Sequence, residues 1–308
     1  MIKVGLTLGL LFAVVISTGC GSLLRASKDD PKTLLSWSAG RKGSEASNED
    51  SKPDDASAKA DEPDEEKPLV TDRPDFTEAS STVGKGRVQL EAGYTFFRDR
   101  SDGVVTSSHS YPESLLRIGM FADWFEFRIA QNFGNSRTFS PDAIQNTDGA
   151  EDLYLGVKLG LTEQKGVLPE SALILQSLIP TGSSGVTSGA LLPGANLLYG
   201  WEVVKDRLSL GGSSQGNRRI DETSHEYIEF AQSITVGYTL TKKLGAYTEW
   251  FAFLPSGAIG EDVGPQHYFN GGFTYKFTPN FQYDIRAGVG LNRRADDFFA
   301  GTGFAMRY

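Results

Sequence analysis

Polar and apolar residues alternate strictly from Arg87 to Phe96. An extended strand points successive side chains to opposite faces, so this segment has one polar and one apolar face. The stretch 281–291 repeats the pattern, with Phe281 and Tyr283 alternating with Gln282 and Asp284. A period of two therefore predicts β-strands at both ends of this region.

The same period recurs between these two segments and predicts twelve strands in all. At 171–180 and 244–254 both faces carry apolar residues, so the pattern there leaves the inward face open. The predicted strands are 87–97, 114–120, 125–133, 151–161, 171–180, 195–203, 207–214, 227–240, 244–254, 267–277, 281–291 and 298–308.

The connections between these strands alternate in length. Those after strands two, six, eight and ten are tight, and 162–170 after strand four is intermediate, whereas those after the odd-numbered strands one to nine are longer. Outer-membrane barrels have short periplasmic turns, longer external loops and an even strand count, whereas a soluble β-sandwich has no reason to alternate in this way. We predict an all-β chain with a transmembrane antiparallel β-barrel of about twelve strands over 87–308.

The last predicted strand ends in an aromatic residue. Thr302 to Tyr308 combines a polar residue, a glycine and hydrophobic residues at alternate positions. This ending resembles the C-terminal signal that barrel-assembly machinery reads. The machinery is therefore an expected partner, through Tyr308.

The N-terminus is typical of an export signal. Lys3 is followed by an apolar run from Val4 to Ile16, which suits a secretory signal and is short for a membrane helix. We predict a signal peptide over 1–19. The run ends at Cys20, the single cysteine of the chain, and resembles a bacterial lipobox except at Ser17. Cys20 is a lipidation candidate, and plain cleavage nearby is the alternative.

A polar, acidic segment separates this signal from the strands. Between Ser44 and Pro68 ten acids face three lysines, which gives −7 of the net charge of −9. Such a composition does not fold alone, so 20–69 is predicted to be a disordered periplasmic linker. Nothing in the chain has the basic patch of a nucleic-acid binder. Residues 70–86 are predicted to be a periplasmic lead-in or small plug, with Arg73 and Asp75 meeting charges in the lumen.

The predicted inward face carries six acids and seven bases, counted along the strands. Charges belong there because each would cost about 2–4 kcal/mol at the lipid midplane. They could line a pore or neutralise one another, and their near balance argues against strong ion selectivity. The main lumen-lining candidates are Glu91, Arg117, Glu126, Arg128, Asp152, Lys158, Glu202, Asp284, Arg286 and Arg307. Aromatic residues such as Tyr94 and Trp201 are predicted to face outward as membrane anchors.

Enzymatic chemistry has little support in the sequence. The three histidines, His109, His225 and His267, are scattered, no serine nucleophile motif accompanies them, and they do not have the spacing of a zinc site. No phosphate-binding glycine loop is present. We therefore predict no catalytic residue, metal site or cofactor. A membrane-embedded hydrolase remains the enzymatic alternative.

Several segments resemble one bacterial family. Thr71 to Glu78 and Val88 to Tyr94 are similar to the opening of the MetA-pathway phenol-degradation proteins. Leu178 to Gly182, Gln232 to Ile234 and Asp284 to Gly290 are similar to later family segments, so the resemblance covers roughly 70–308. It implies a transporter-like barrel in the outer membrane and a link to aromatic-compound catabolism, without binding residues to transfer.

The sequence thus predicts a bacterial outer-membrane channel for passive passage of small solutes, in contact with membrane lipid. An aromatic compound is a candidate solute, suggested by the family label alone. The alternative to a channel is a structural or anchoring barrel with a closed lumen. A twelve-stranded barrel is wide enough for a pore and small enough for its own side chains to block it.

Overall fold

The structure of the protein is a computed structural model that describes residues 31–36, 68–101, 103–261 and 263–308. The predicted signal peptide, the lipidation candidate Cys20 and most of the predicted linker lie outside these residues. Residues 34–36 form one helical turn. No helix within the described ranges is long and apolar enough to span a membrane.

Thirteen strands follow one another within the described residues. Their bounds are β1 (Val88–Ser101), β2 (Val104–Gly119), β3 (Phe125–Phe139), β4 (Ile144–Ala150), β5 (Leu153–Thr162), β6 (Glu170–Ile179), β7 (Leu192–Val204), β8 (Leu208–Ile220), β9 (Glu226–Thr239), β10 (Leu244–Ser256), β11 (Gln266–Thr278), β12 (Phe281–Gly290) and β13 (Phe298–Arg307).

These strands close into one antiparallel barrel, which confirms the predicted fold. The barrel closes because β1 pairs with both β2 and β13, for example Gly93 with Gly303. The thirteen strands form a barrel twelve strands around, because β4 and β5 both pair with the same side of β3. The outer half of β3 pairs with β4 and its inner half with β5, and Glu151 and Asp152 separate the two.

Two hairpins extend further than the sequence pattern predicted. Residues 98–113 and 134–150 were expected to be long loops, but β1 continues to Ser101 and β2 begins at Val104, while β3 and β4 continue to a turn at 140–143. Polar and charged residues outnumber apolar ones in these extensions. A strand with water on both faces has no need of an apolar side, so its alternation is lost although its backbone pairing persists.

Side chains divide cleanly between the two faces of the barrel. Polar residues such as Gln89, Glu91 and Thr95 are buried inside, whereas Phe269 and Ile285 point outward with 47% and 46% of their surface exposed. The sequence left open which face of β6 and β10 points into the barrel, and the structure shows it. Ala172 and Ile174 of β6, and Tyr247, Glu249 and Phe251 of β10, are buried on the inner side. An outer face of exposed apolar residues is typical of a barrel surrounded by lipid.

Candidate functional site

Residues 69–86, which precede β1, lie inside the barrel. The Leu69 amide donates to the Pro279 carbonyl at a short turn between β11 and β12, and Leu69 is fully buried. The chain then passes through the lumen and leaves it near Gly86, whose amide donates to the Gly119 carbonyl. We call residues 69–86 the lumen segment.

Asp72 is the most heavily bonded residue of the lumen segment. Its carboxylate accepts from Arg128 Nη1 at 2.7 Å and from Lys158 Nζ at 3.0 Å, and lies 3.3 Å from Arg117 Nη1. Its side chain is 3% exposed. Burial alone would raise the pKa of Asp72, but the three cations outweigh that cost and hold the pKa well below its ordinary value. Asp72 is therefore an ionised anchor for the segment.

The wall around Asp72 supplies a closed ionic network. Arg117 donates through Nε and Nη2 to both oxygens of Glu126, at 2.8 and 2.9 Å, and through Nη1 to Glu91 at 3.1 Å. Arg128 Nη1 reaches the same Glu126 at 3.0 Å. All of these side chains are almost fully buried. Buried charges persist only when they are paired and hydrogen-bonded, and this network meets that condition.

Arg73 occupies a gap in the neighbouring part of the wall, formed by β1, β2, β12 and β13. Its Nη1 donates to Glu113 at 2.7 Å, and its Nε lies 3.4 Å from Asp284. The guanidinium lies against Gly93 and Gly303, which face each other across β1 and β13. A Cβ atom at either glycine would collide with the guanidinium. These two glycines are therefore needed because of the close approach of Arg73 and not because of a turn.

The middle of the lumen segment binds Glu249 of β10. The backbone amides of Phe76 and Thr77 each donate to this carboxylate at 2.7 Å, and Asn270 Nδ2 donates to it at 2.8 Å. Asp75 is buried beside it. Burial, and then repulsion from Glu249, raise the pKa of Asp75 well above its usual range.

The second half of the lumen segment, from Ala79 onward, is hydrogen-bonded to the wall through its backbone. Lys158 Nζ donates to the Ala79 carbonyl at 2.9 Å, Arg117 Nη2 to the Ser81 carbonyl at 3.2 Å, and the Val83 amide to Glu126 at 2.9 Å. The cations that hold Asp72 thus also bind the returning chain. This fixes both halves of the lumen segment to one side of the wall.

One side of the lumen is filled by aromatic rings. Phe76 of the lumen segment stacks on Phe251 with centroids 4.7 Å apart, and Phe251 stacks on Tyr268 at 4.8 Å. Phe97, Phe253 and Phe299 complete the group, in which Phe299 is 3% exposed. The sequence analysis placed its aromatic residues on the outer face and missed this inward cluster. The sign of this cluster in the sequence was that apolar residues occupy both faces of 244–254.

Two cavities lie on opposite sides of the lumen segment. The first, of about 330 Å³, lies toward the longer loops and is lined by Glu113, Arg128, Asp152 and Tyr154. The second, of about 370 Å³, lies toward the short turns and is lined by residues that include Glu202. Glu78 lines both. The two spaces therefore approach each other at this side chain.

The structure brings together half of the ten predicted lumen-lining candidates. Glu91, Arg117, Glu126, Arg128 and Lys158 form the Asp72 network.

The remaining candidates are dispersed around the barrel. Asp284 contacts Arg73, whereas Arg286 donates to the Pro74 carbonyl at 2.8 Å, and Arg307 donates to Asn280 near a short turn. Glu202 is exposed beside the turn at 205–207.

Asp152 lies at the rim of the first cavity and has a second role. Its carboxylate accepts from the Gly182 amide at 3.0 Å, from Thr187 Oγ1 at 2.6 Å and from the Ser188 amide at 2.9 Å. These bonds hold the pKa of Asp152 below its ordinary value despite the cost of desolvation. Asp152 is thus mainly an organiser of the loop at 180–191.

The histidines lie apart from this site. His109 Nδ1 is 2.7 Å from the Tyr94 hydroxyl on the outer face, His267 stacks on Trp250, and His225 donates its backbone amide to Asp221. Within the described ranges, no group of three or more histidine, cysteine or acidic residues could hold a metal ion.

Comparisons with known proteins agree with the fold. The model of the family described as "Putative MetA-pathway of phenol degradation" matches residues 71–308. An outer membrane channel from Pseudomonas putida F1 has a similar structure, with a TM-score of 0.56 and 12% identity over 81% of this chain and 100% of that one. No curated protein matches the sequence.

Other solved barrels are less similar. The NanC porin has a TM-score of 0.44 at 9% identity, over 71% of this chain and 98% of that one. The translocator domain of the autotransporter NalP from Neisseria meningitidis has a TM-score of 0.47 at 12% identity, over 72% of this chain and 88% of that one.

Proposed function

We propose a function from the premise that the chain belongs to the MetA-pathway phenol-degradation family, whose model matches residues 71–308. The protein is a narrow channel of the bacterial outer membrane, through which small solutes pass beside a lumen segment that stays in place. One observation carries this proposal: two cavities flank the segment, and Glu78 lines both of them.

The position in the membrane follows from the outer face. Exposed apolar side chains such as Phe269, Phe273 and Ile285 project from adjacent strands β11 and β12. A contiguous apolar surface of this kind needs lipid around it. An outer-membrane location, with lipid as the partner of this surface, is consistent with the family to which the chain belongs.

The dense bonding of the lumen segment favours a route around it. Releasing the segment would uncover Asp72 and its three cations at once, and an unpaired buried charge costs several kcal/mol. The aromatic cluster closes the side of the lumen at β10 and β11, so the route follows the wall formed by β3 and β5 to β8. Cavities of this size suit small molecules. The aromatic nature of the solute is supported by the family description alone.

Single-channel recording of the full-length protein in a planar bilayer tests the proposal. Steady, discrete current steps from a folded barrel are the expected result. A folded barrel that carries no current would reject the channel and favour a structural barrel with a closed lumen. Lipid hydrolysis that disappears in His109→Ala would instead favour the hydrolase.

A further inference from the structure

Glu78 and Arg128 form an ion pair where the two cavities approach each other. Glu78 Oε1 accepts from Arg128 Nη2 at 2.9 Å. The Arg128 side chain is 1% exposed, whereas that of Glu78 is 24% exposed. Arg128 is held from behind by Asp72 and Glu126, at 2.7 and 3.0 Å. The pair therefore consists of a fixed cation on the wall and a more accessible carboxylate on the lumen segment.

This ion pair leaves one acceptor and one donor unused. Glu78 Oε2 and Arg128 Nε are both buried, and neither has a hydrogen-bond partner in the part of the chain that the structure describes. Buried polar groups are nearly always paired, and an exception needs an explanation. Both atoms belong to one ion pair, and both residues line the cavity on the side of the longer loops. Because Glu78 is the more accessible partner, a shift of its side chain would open both atoms to a group in this cavity.

We propose that the Glu78–Arg128 pair is the selectivity-determining constriction of the channel and a transient binding site for neutral, hydroxyl-bearing solutes. A hydroxyl group matches the two unused atoms, because its O–H donates to Glu78 Oε2 while its oxygen accepts from Arg128 Nε–H. The pair carries no net charge, so it offers hydrogen bonds without attracting either ion type. This inference rests on the proposed channel function and assigns the site within it.

The geometry also explains why Glu78 is the residue to change. Arg128 supports the Asp72 network, so its loss would disturb the whole barrel interior. Glu78 has Arg128 as its ion-pair partner and lies on the lumen segment. Replacing Glu78 removes the acceptor and one negative charge at the constriction, while Arg128 keeps its pairs with Asp72 and Glu126. Glu163 is the matched control, since it is an exposed acid in the turn between β5 and β6 and lines neither cavity.

The experiment compares the full-length wild-type protein, Glu78→Ala and Glu163→Ala in planar bilayers. The first readout is the reversal potential in a KCl gradient. The second is the arabinose concentration that halves the ion current. In Glu78→Ala we expect a shift of the reversal potential toward anion selectivity and an increase of about tenfold in the half-blocking concentration, since a hydrogen bond to a charged group is lost. Glu163→Ala should match the wild type in both.

Each contrary outcome has a distinct meaning. A wild-type protein without current rejects the proposed function itself. A conducting wild type whose reversal potential and arabinose block are unchanged in Glu78→Ala overturns the constriction. A shifted reversal potential with unchanged block overturns the hydroxyl site. If Glu78→Ala does not fold, Glu78→Gln removes the same charge in a similar shape, and an unshifted reversal potential in that variant overturns the constriction equally.

Discussion

The carboxylate of Asp72 lies 2.7 Å from the guanidinium of Arg128, although 56 positions separate the two residues along the chain. This contact joins a segment that precedes the first strand to the inner wall of the third. Lys158 and Arg117 surround the same carboxylate. The barrel interior is consequently organised around a residue that belongs to none of its strands.

Asp72→Asn should destabilise the protein strongly. The substitution keeps the size of the side chain and removes the charge, so three buried cations lose a shared counter-ion. Removing one partner of a buried pair typically costs about 3–5 kcal/mol. Urea unfolding of the detergent-solubilised protein measures this change. Asp142→Asn, at an exposed position in the turn between β3 and β4, provides the control and should leave the midpoint unchanged.

Asp75→Asn should have the opposite effect, and the effect should depend on pH. Burial and the neighbouring Glu249 raise the pKa of Asp75 above 3.8, its ordinary value, so the folded protein binds this proton more tightly than the unfolded chain. Wild-type stability is therefore lost as the pH rises from 3.8 toward the raised pKa. The side-chain amide of the Asp75→Asn variant does not titrate, so the variant does not lose stability in this way.

Thermal unfolding followed by circular dichroism tests this sign. Asp75→Asn should have the higher Tm at neutral pH, and its advantage should shrink as the pH falls toward 3.8. Comparison with the wild type at each pH cancels the titration of groups that do not interact with Asp75. An advantage that grows on acidification would show that Asp75 is ionised in the folded protein.

Gly93→Ala should displace Arg73. The added methyl group would occupy the position of the guanidinium, which must then leave Glu113 and Asp284. Overpacking of this kind typically costs about 1–3 kcal/mol. We expect a lower unfolding midpoint and faster chymotryptic cleavage after Phe76 in the lumen segment. Gly216→Ala serves as the control because its Cβ would meet only the Phe230 ring, at an ordinary 3.7 Å. Equal cleavage rates in the two variants would contradict the role of Gly93.

Sequence periodicity was sufficient for the barrel because lipid and lumen impose opposite demands on alternate residues. Arg117, Glu126, Arg128 and Lys158 are recognisable as inward for that reason alone. Periodicity fails where both faces meet the same surroundings. It missed the water-exposed ends of β1 to β4, and it left open the inward face of β10, whose rings pack on both sides.

The lumen segment was only partly predictable. Its polar composition and position before β1 suggested a plug, with Arg73 and Asp75 as contact residues. Asp72, Glu78 and Glu249 could not be identified, because their partners lie many residues away and no local pattern encodes such contacts. The pairing of Gly93 with Gly303 could not be predicted from the sequence either, since it depends on the register between the first and last strands. Partners of this kind become visible only when the barrel is closed.

The central claim, that solutes pass while the lumen segment stays in place, can be tested by crosslinking the segment to the wall. Thr77 Oγ1 lies 2.6 Å from Ser233 Oγ of β9, close enough for a disulfide between Thr77→Cys and Ser233→Cys. Cys20→Ser in the same protein leaves the engineered pair as its only cysteines. The account predicts current steps of the same size before and after reduction. Current that appears only after reduction would show that the segment must leave for the channel to open, and would contradict the account.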